Sequence, residues 1–192
     1  MYELLLRNIA VHIQLTEEEK KYFTSLLKPR KIRKKQYLLQ AGEVARFENF
    51  VAKGLLRAYT VDGKGQEHIA MFGMEGWWIS DLYSFLTETP ATQCIDAMED
   101  SEILSIEKPD LEKLYLDVPK FDRLFRKLLQ NAFVANQQRI IASISQTAEE
   151  QYLDFIRKYP TLEQRIPQHQ IASFLGITPE TISRIRRNQA TS

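Results

Sequence analysis

Side chains that can hydrogen-bond to DNA bases and phosphates are concentrated near the end of the sequence, between positions 178 and 188. Helical spacing buries Ile182 and Ile185 on one side of this stretch. A guanidinium can bond both O6 and N7 of guanine, a carboxylate can accept from cytosine N4, and hydroxyls can contact bases or phosphates. This chemistry suits the DNA major groove, although an ordinary helical hairpin with a solvated polar face has the same spacing. The outward-facing residues are Pro179, Glu180, Thr181, Ser183, Arg184, Arg187 and Asn188.

Two short helices around a tight turn are needed to hold these side chains in place. Ile171 and Leu175 lie on one face of a first helix. Gly176 supplies the left-handed turn that ends it, because only glycine adopts that conformation freely. Thr178 is a suitable N-cap for the second helix, and Pro179 fits its first turn, where no amide donor is needed. The spacing therefore predicts a helix-turn-helix.

Length, charge and cysteine content bound the class of protein. A chain of 192 residues can form one large domain or two small ones, and its net charge of +1 argues neither for nor against a nucleic-acid partner. Cys94 is the single cysteine of the sequence, which excludes an internal disulfide and fits a reducing compartment. Glu3 and Arg7 interrupt the apolar start, so no signal peptide is expected, and no apolar run reaches membrane-spanning length. We expect a cytoplasmic protein.

Before this region, the sequence indicates helix first and then strands. Thr16 caps a helical segment within residues 1–28. The basic run 28–35 is interpreted as the solvated face of a first strand, over positions 31–39, in preference to a nucleic-acid patch. Short strands and regular turns continue to Glu107, with a strong hairpin signal at 62–65. This pattern predicts a small antiparallel sandwich or barrel-like roll.

A long helix is predicted from Lys120 to about Ser145, because the stretch contains no proline or glycine. It carries a heptad seam and a second apolar face that includes Phe133 and Ile144. A helix apolar on two faces needs two neighbours, and we expect the sheet domain and the same helix of a second subunit. The central helix of a monomer is the alternative. The seam consists of Phe121, Phe125, Leu128, Ala132, Ala135 and Ala142.

The order of roll, long helix and helix-turn-helix resembles the Crp/Fnr-type transcriptional regulators. Glu180-Thr-Ile-Ser-Arg184 is similar to the centre of that family's recognition helix, and the turn 40–43 and strand 53–57 resemble parts of its roll. The resemblance implies an α+β fold with an N-terminal antiparallel β-roll of the cyclic-nucleotide-binding type, also called a double-stranded β-helix. A long dimerisation helix and a C-terminal winged-helix-like helix-turn-helix with a shortened wing would follow. The implied domains are 1–117, 118–146 and 147–192.

The resemblance also implies sequence-specific binding of a near-palindromic operator by a homodimer. Glu180 and Arg184 match the family's base-reading pair, whereas Pro179 stands where some members have a base-reading arginine. Arg186 or Arg187 would grip phosphates. Double-stranded DNA and a second copy of the chain are the expected partners, with RNA polymerase and an unidentified small-molecule effector as further candidates and no membrane. The expected DNA-binding residues are Gln168, His169, Thr178, Pro179, Glu180, Thr181, Ser183, Arg184 and Arg187.

Control by cyclic AMP is not expected. In members that bind cyclic nucleotides, a Gly-Glu helix start and an Arg-Ser/Thr pair hold the ribose and the cyclic phosphate. Ser80-Asp81 and Ala91-Thr92 stand at these positions, so no arginine would neutralise a phosphate and Asp81 would oppose it. The roll could bind another ligand or be a packed structural domain. The candidate effector pocket consists of Trp78, Ser80, Asp81, Leu82, Tyr83, Thr92 and Gln93.

Other chemistries find little support in the sequence. An iron–sulfur sensor needs several cysteines, and His12, His68 and His169 are too scattered to bind haem or zinc. A cupin-like enzyme would need two or three histidines in its strands, and no nucleophile–base pair stands out. We therefore predict no cofactor, metal site or catalytic residue. The remaining alternative is a small-molecule-binding β-roll whose helical tail serves assembly.

Overall fold

The computed structural model describes residues 1–190. The helices among them are α1 (Tyr2–Ala10), α2 (Glu17–Leu26), α3 (Leu82–Thr87), α4 (Lys108–Asp117), α5 (Lys120–Ser145), α6 (Ala148–Lys158), α7 (Pro160–Arg165), α8 (Gln168–Leu175) and α9 (Pro179–Ala190). The strands are β1 (Lys28–Ile32), β2 (Tyr37–Leu39), β3 (Phe47–Lys53), β4 (Leu55–Val61), β5 (Glu67–Met74), β6 (Trp78–Ile79), β7 (Cys94–Ala97) and β8 (Ser101–Glu107).

The strands form two four-stranded sheets, in the orders β1-β8-β3-β6 and β2-β7-β4-β5. Strand β3 pairs antiparallel with both β8 and β6, so Phe50 lies opposite Leu104 on one side and Trp78 on the other. The predicted hairpin turn is present, with the Asp62 amide donating to the Gln66 carbonyl at 3.0 Å. The antiparallel roll followed by a long helix and a helix-turn-helix is confirmed.

The predicted first strand over 31–39 is wrong in detail, because two strands of different sheets occupy this region. Strand β1 pairs with β8, whereas β2 pairs with β7. Between them the chain turns at Lys35, a non-glycine residue with a φ of +69°. Its amide donates to the Ala97 carbonyl at 2.6 Å. The basic residues of this segment are mostly exposed, as expected for a solvated face.

A contiguous apolar core joins both sheets to α1, α2, α4 and the first turns of α5. The rings of Phe23 in α2 and Phe121 in α5 lie 4.6 Å apart between centroids, and both side chains are fully buried. A capping box begins α2, since the Thr16 hydroxyl accepts from the Glu19 amide while the Glu19 carboxylate accepts from the Thr16 amide. Local capping and core burial together fix these helices against the roll.

Helix α5 has the predicted limits, but its first turns contradict part of the predicted seam. Phe121 and Phe125 are 0% and 9% exposed and belong to the core of their own chain, and Leu128 packs against that core. Phe121 and Phe125 are therefore not free to line a dimer surface. Beyond them the helix leaves its apolar residues in solvent. The exposed apolar strip of α5 consists of Leu129, Phe133, Val134, Ile140, Ile141 and Ile144.

The chain divides into two compact units, and the boundary falls within α5. The first contains Met1–Gln66 and Ala70–Leu129, and the second contains Glu67–Ile69 and the chain from Gln130 onward. The division into three domains with boundaries at 117 and 146 stays a prediction. No helix among residues 1–190 combines the length and the apolar character needed to cross a membrane. The shortened wing predicted after α9 lies outside the described residues.

A buried carboxyl group lies on β3. Glu48 is 7% exposed, and the Ser80 hydroxyl donates to its Oε1 at 2.9 Å. Burial raises the pKa of Glu48 to about 7, with the Ser80 hydrogen bond acting in the opposite direction. The proton therefore binds the folded chain more tightly than the unfolded one. The resulting stabilisation is complete below the unfolded pKa and is lost as the pH rises through about 7.

We expect Glu48→Gln to stabilise the fold relative to wild type by about 2–3 kcal/mol more at pH 8 than at pH 5, because glutamine has no proton to lose. Denaturant unfolding followed by tryptophan fluorescence measures the difference. Glu112→Gln, at an exposed carboxylate on α4, is the matched control and should keep the wild-type pH dependence. An equal difference between Glu48→Gln and wild type at both pH values would contradict the buried titration.

Candidate functional site

Helices α8 and α9 form the predicted helix-turn-helix around Gly176. This residue has a φ of +70°, and its amide donates to the Ser173 carbonyl at 3.2 Å. The Ile177 amide donates to the Ala172 carbonyl at 3.0 Å, so the open end of α8 is closed by backbone bonds. Nothing lies within 4 Å of the position that a Cβ at Gly176 would occupy. Glycine is favoured here by its backbone conformation and not by lack of space.

The start of α9 is capped as predicted. The Thr178 Oγ1 accepts from the Thr181 amide at 3.2 Å. A hydrogen bond from its own backbone amide and a second from Thr178 lower the pKa of the exposed Glu180 carboxyl. Glu180 is therefore ionised at neutral pH and can accept hydrogen bonds from a base edge.

Burial of its apolar side holds α9 in a fixed orientation within the second unit. Ile182 and Ile185 are 0% and 4% exposed, and α6 and α8 pack beside α9. Arg186 forms an ion pair with Glu163 of α7, which also accepts from the Tyr152 hydroxyl at 3.2 Å. Both arginines expected to grip phosphates are exposed, and Arg186 pairs with Glu163 within the chain.

The structure brings the predicted DNA-binding residues together on α8, α9 and the turn between them. Thr181 and Gln168 are half-buried, and Asn188 lies further along the exposed side of α9. The exposed members are His169, Thr178, Pro179, Glu180, Ser183, Arg184 and Arg187. The exposed side of α9, called the α9 face below, carries a carboxylate, hydroxyls and guanidinium groups within about three turns of helix.

Gln168 is predicted from the sequence to contact DNA, whereas its contacts within the chain were not predicted. The Gln168 Nε2 donates to the Pro179 carbonyl oxygen and to the Ser183 Oγ, both at 2.7 Å. Both donors of this amide are therefore used to join α8 to α9. Helical spacing within either helix gives no signal for a contact across the turn.

The effector pocket stays a prediction, but several of its residues have partners within the fold. Ser80 donates to Glu48, and the Trp78 ring makes edge contacts with Phe50 at 5.5 Å and Phe125 at 5.1 Å between centroids. Tyr83 is 65% exposed. Of the pocket's residues, the half-buried Trp78 and Ser80 thus have partners within the chain, namely Phe125 and the buried Glu48.

Asp81 acts as an internal anion at the start of α3. Its carboxylate is 1% exposed and accepts from the backbone amides of Ser84, Thr92 and Gln93 at 3.0, 3.2 and 3.3 Å. An anion bound beside α3 would have to compete with Asp81 for these amides. Ala91 is 4% exposed and offers no cation. The Asp81 carboxylate therefore satisfies these three amide donors from within the chain.

Arg57 on β4 is a cation of the roll that could attract an anion. Its Nε and Nη2 donate to the two carboxylate oxygens of Asp96 at 2.8 and 2.9 Å. The guanidinium lies 4.3 Å from the ring centroid of Tyr59, whose hydroxyl also bonds Asp96. The charge of Arg57 is thus neutralised within the sheet. Residues 1–190 contain no group of three or more His, Cys, Asp or Glu side chains placed to hold a metal ion.

Comparison with known proteins supports this architecture. Residues 29–117 match the family described as the cyclic nucleotide-binding domain. The fumarate and nitrate reduction regulatory protein of Vibrio cholerae is 27% identical, over 92% of this chain and 75% of the relative. The solved structure of FixK2 from Bradyrhizobium japonicum has a TM-score of 0.74 at 19% identity, covering 86% of this chain and 85% of that one. A Crp/Fnr-family regulator from Eubacterium rectale has a TM-score of 0.68 at 17% identity, covering 92% and 84%.

The relatives that match most of this chain are regulatory proteins, and its roll, long helix and capped helix-turn-helix have the fold of these solved structures. The chain is therefore similar to transcriptional regulators of the Crp/Fnr type, in agreement with the resemblance of its recognition-helix motif.

We expect Asp81→Ala to destabilise the first unit by about 2–4 kcal/mol, because it removes the buried acceptor of three backbone amides. Both tryptophans lie in this unit, so their fluorescence during denaturant unfolding reports the loss. The matched control is Asp100→Ala, which removes an exposed carboxylate that accepts from the Lys34 amide. It should cost under about 1 kcal/mol. Equal losses from the two variants would show that Asp81 has no special role.

Proposed function

We propose that two copies of this chain bind one near-palindromic DNA site, and that each copy reads a half-site with its α9 face. We also propose that cyclic AMP does not control this binding. The observation that carries the proposal is the α9 face itself. Exposed hydrogen-bonding groups cover one side of a helix whose other side is buried. That is the arrangement by which a recognition helix enters the major groove.

The base-reading pair consists of Glu180 and Arg184. They are four residues apart, so they lie on the same side of α9 with a rise of about 6 Å between them. This rise matches roughly two base-pair steps of about 3.4 Å each. The Arg184 guanidinium can bond O6 and N7 of one guanine, while the ionised Glu180 accepts from a cytosine N4. Exposed His169 and Arg187 are the candidates for phosphate contacts.

The second copy is proposed to pack on the exposed apolar strip of α5. Phe133, Ile140 and Ile144 are 64%, 54% and 81% exposed, although large apolar side chains favour burial. Positions 133, 140 and 144 follow steps of seven and four residues, as in a helix–helix seam. Exposed Ala132 and Ala135 lie on the same stretch and allow two helices to approach closely. The dimer seam is therefore proposed to use this strip in place of Phe121 and Phe125.

Independence from cyclic AMP is proposed because the roll satisfies its own anion-binding groups. Asp81 accepts hydrogen bonds from the amides beside α3, and Asp96 forms an ion pair with Arg57. A cyclic phosphate would have to displace a buried carboxylate and would then meet its negative charge. The relatives that match most of this chain are regulators. We accordingly propose no catalytic residue and no reaction.

Selection from random duplex DNA at near-physiological salt, without added ligand, tests the proposal. That salt concentration suppresses charge-driven background. We expect enrichment of a palindrome whose half-sites lie about ten base pairs apart. Arg184→Ala should then lose roughly 5- to 150-fold in affinity for the selected site and relax the preference at one position of each half-site.

Arg157→Ala is the matched control, since it removes an exposed arginine that pairs with Asp154 on α6, away from the α9 face. This variant should select the same palindrome as wild type with similar affinity. A uniform loss of affinity for every sequence in Arg184→Ala would make Arg184 a phosphate contact. No enriched sequence with wild type, with or without cell extract added to supply an effector, would contradict sequence-specific binding.

Phe133→Glu should convert the dimer into a monomer, because it places a charge within the proposed seam. Sedimentation equilibrium measures the mass in solution. Leu116→Glu, at a leucine of α4 that is 82% exposed and lies outside the strip, should leave the dimer intact. If Phe133→Glu kept the mass of wild type, the exposed apolar strip of α5 would not form the dimer seam.

A further inference from the structure

Gln168 makes two hydrogen bonds that together determine how its amide group is oriented. Its Nε2 lies 2.7 Å from the Pro179 carbonyl oxygen, which can only accept. The group at that position must therefore be the amide nitrogen and not the amide oxygen. The same nitrogen lies 2.7 Å from the Ser183 Oγ, so its second hydrogen points to the serine oxygen. The Ser183 hydroxyl consequently acts as an acceptor toward Gln168.

A serine or threonine within a helix can donate its hydroxyl hydrogen to the carbonyl four residues earlier. Helices of this protein show that pattern: Thr24 donates to the Lys20 carbonyl at 2.9 Å, and Ser145 donates to the Ile141 carbonyl at 2.8 Å. For Ser183 the corresponding carbonyl is that of Pro179, and Gln168 donates to it instead. Within residues 1–190 the Ser183 hydroxyl has no recorded acceptor, so its hydrogen is free to point away from the helix.

We infer that Gln168 is a positioning residue which orients the exposed Ser183 hydroxyl as a hydrogen-bond donor toward a base edge in the major groove. The inference rests on the proposed function, because it takes the α9 face to be the surface that reads DNA. Ser183 adjoins Arg184 and lies three residues after Glu180, so it belongs to the same base-reading surface. The acceptors that a donor can find there are N7 and O6 of guanine, N7 of adenine and O4 of thymine.

The assignment changes the role of Gln168 itself. Both hydrogens of its amide are used inside the chain, and only its Oε1 remains for other contacts. An amide oxygen is an acceptor and cannot bond a phosphate oxygen. Gln168 therefore contributes to recognition through Ser183 and the start of α9, and not as a direct phosphate contact.

Base preference at each half-site position, measured by competition between duplexes that differ at one base pair, tests the inference. We expect Ser183→Ala and Gln168→Ala to relax the preference at the same single position, each by roughly five- to tenfold. The double variant should lose no more than either single variant, because the two side chains act through one hydrogen bond to DNA. Gln168→Glu should behave like Gln168→Ala, since a carboxylate cannot donate to the Pro179 carbonyl or to Ser183.

Gln170→Ala is the matched control, because it truncates a half-buried glutamine of the same helix. It should keep the wild-type base preference even if it lowers the thermal stability of the second unit. This comparison separates the specificity effect of Gln168 from a general weakening of α8.

Two results would overturn the inference. A uniform loss of affinity in Gln168→Ala, equal for all duplexes, would assign Gln168 a purely structural role or Ser183 a phosphate contact. A preserved preference in Gln168→Ala, together with its loss in Ser183→Ala, would show that Ser183 needs no positioning. In either case a wild type that selects a palindrome and an Arg184→Ala variant that relaxes it would leave the proposed function standing. If the wild-type protein selected no preferred sequence, both this inference and the proposed function would be contradicted.

Discussion

Burial of Ile182 and Ile185 determines which side of α9 faces solvent, and the DNA-reading surface depends on it. Each buried isoleucine contributes roughly 2 kcal/mol of transfer free energy, so rotating the helix to hide its polar side would be strongly unfavourable. The turn at Gly176 and the cap at Thr178 set where the helix begins. The ion pair between Arg186 and Glu163 also ties α9 to α7.

The helix-turn-helix and the limits of α5 could be predicted because their determinants are local. Apolar spacing, a glycine turn and a cap lie within a few residues of each other, and a stretch without proline or glycine continues as one helix. The neighbour of each apolar face of α5 could not be predicted, since a heptad pattern fits the roll as well as a second copy. Phe121 and Phe125 therefore looked like dimer residues although they complete the core. The turn at Lys35 had no sequence signal either, because its left-handed conformation is uncommon outside glycine.

The roll shows how a fold associated with cyclic nucleotides can exist without their usual binding groups. The motif substitutions at Asp81 and Ala91 could be seen in the sequence, but the hydrogen bonds that replace a ligand depend on the fold. Asp81 gathers amides from two separate segments, and Arg57 meets Asp96 across neighbouring strands. Fold alone does not specify function. Because the charges of the roll are paired internally, the proposed function rests on the α9 face.

The most direct test of two recognition helices acting on one duplex is a spacing series built on the selected palindrome. In B-DNA, half-sites about ten base pairs apart lie on the same side of the duplex, and five additional base pairs rotate one of them by about half a turn. We predict that the original spacing binds two chains per duplex, and that the five-base-pair insertion lowers the affinity to that of a single half-site. Equal affinity at both spacings, or one chain per duplex, would contradict the account.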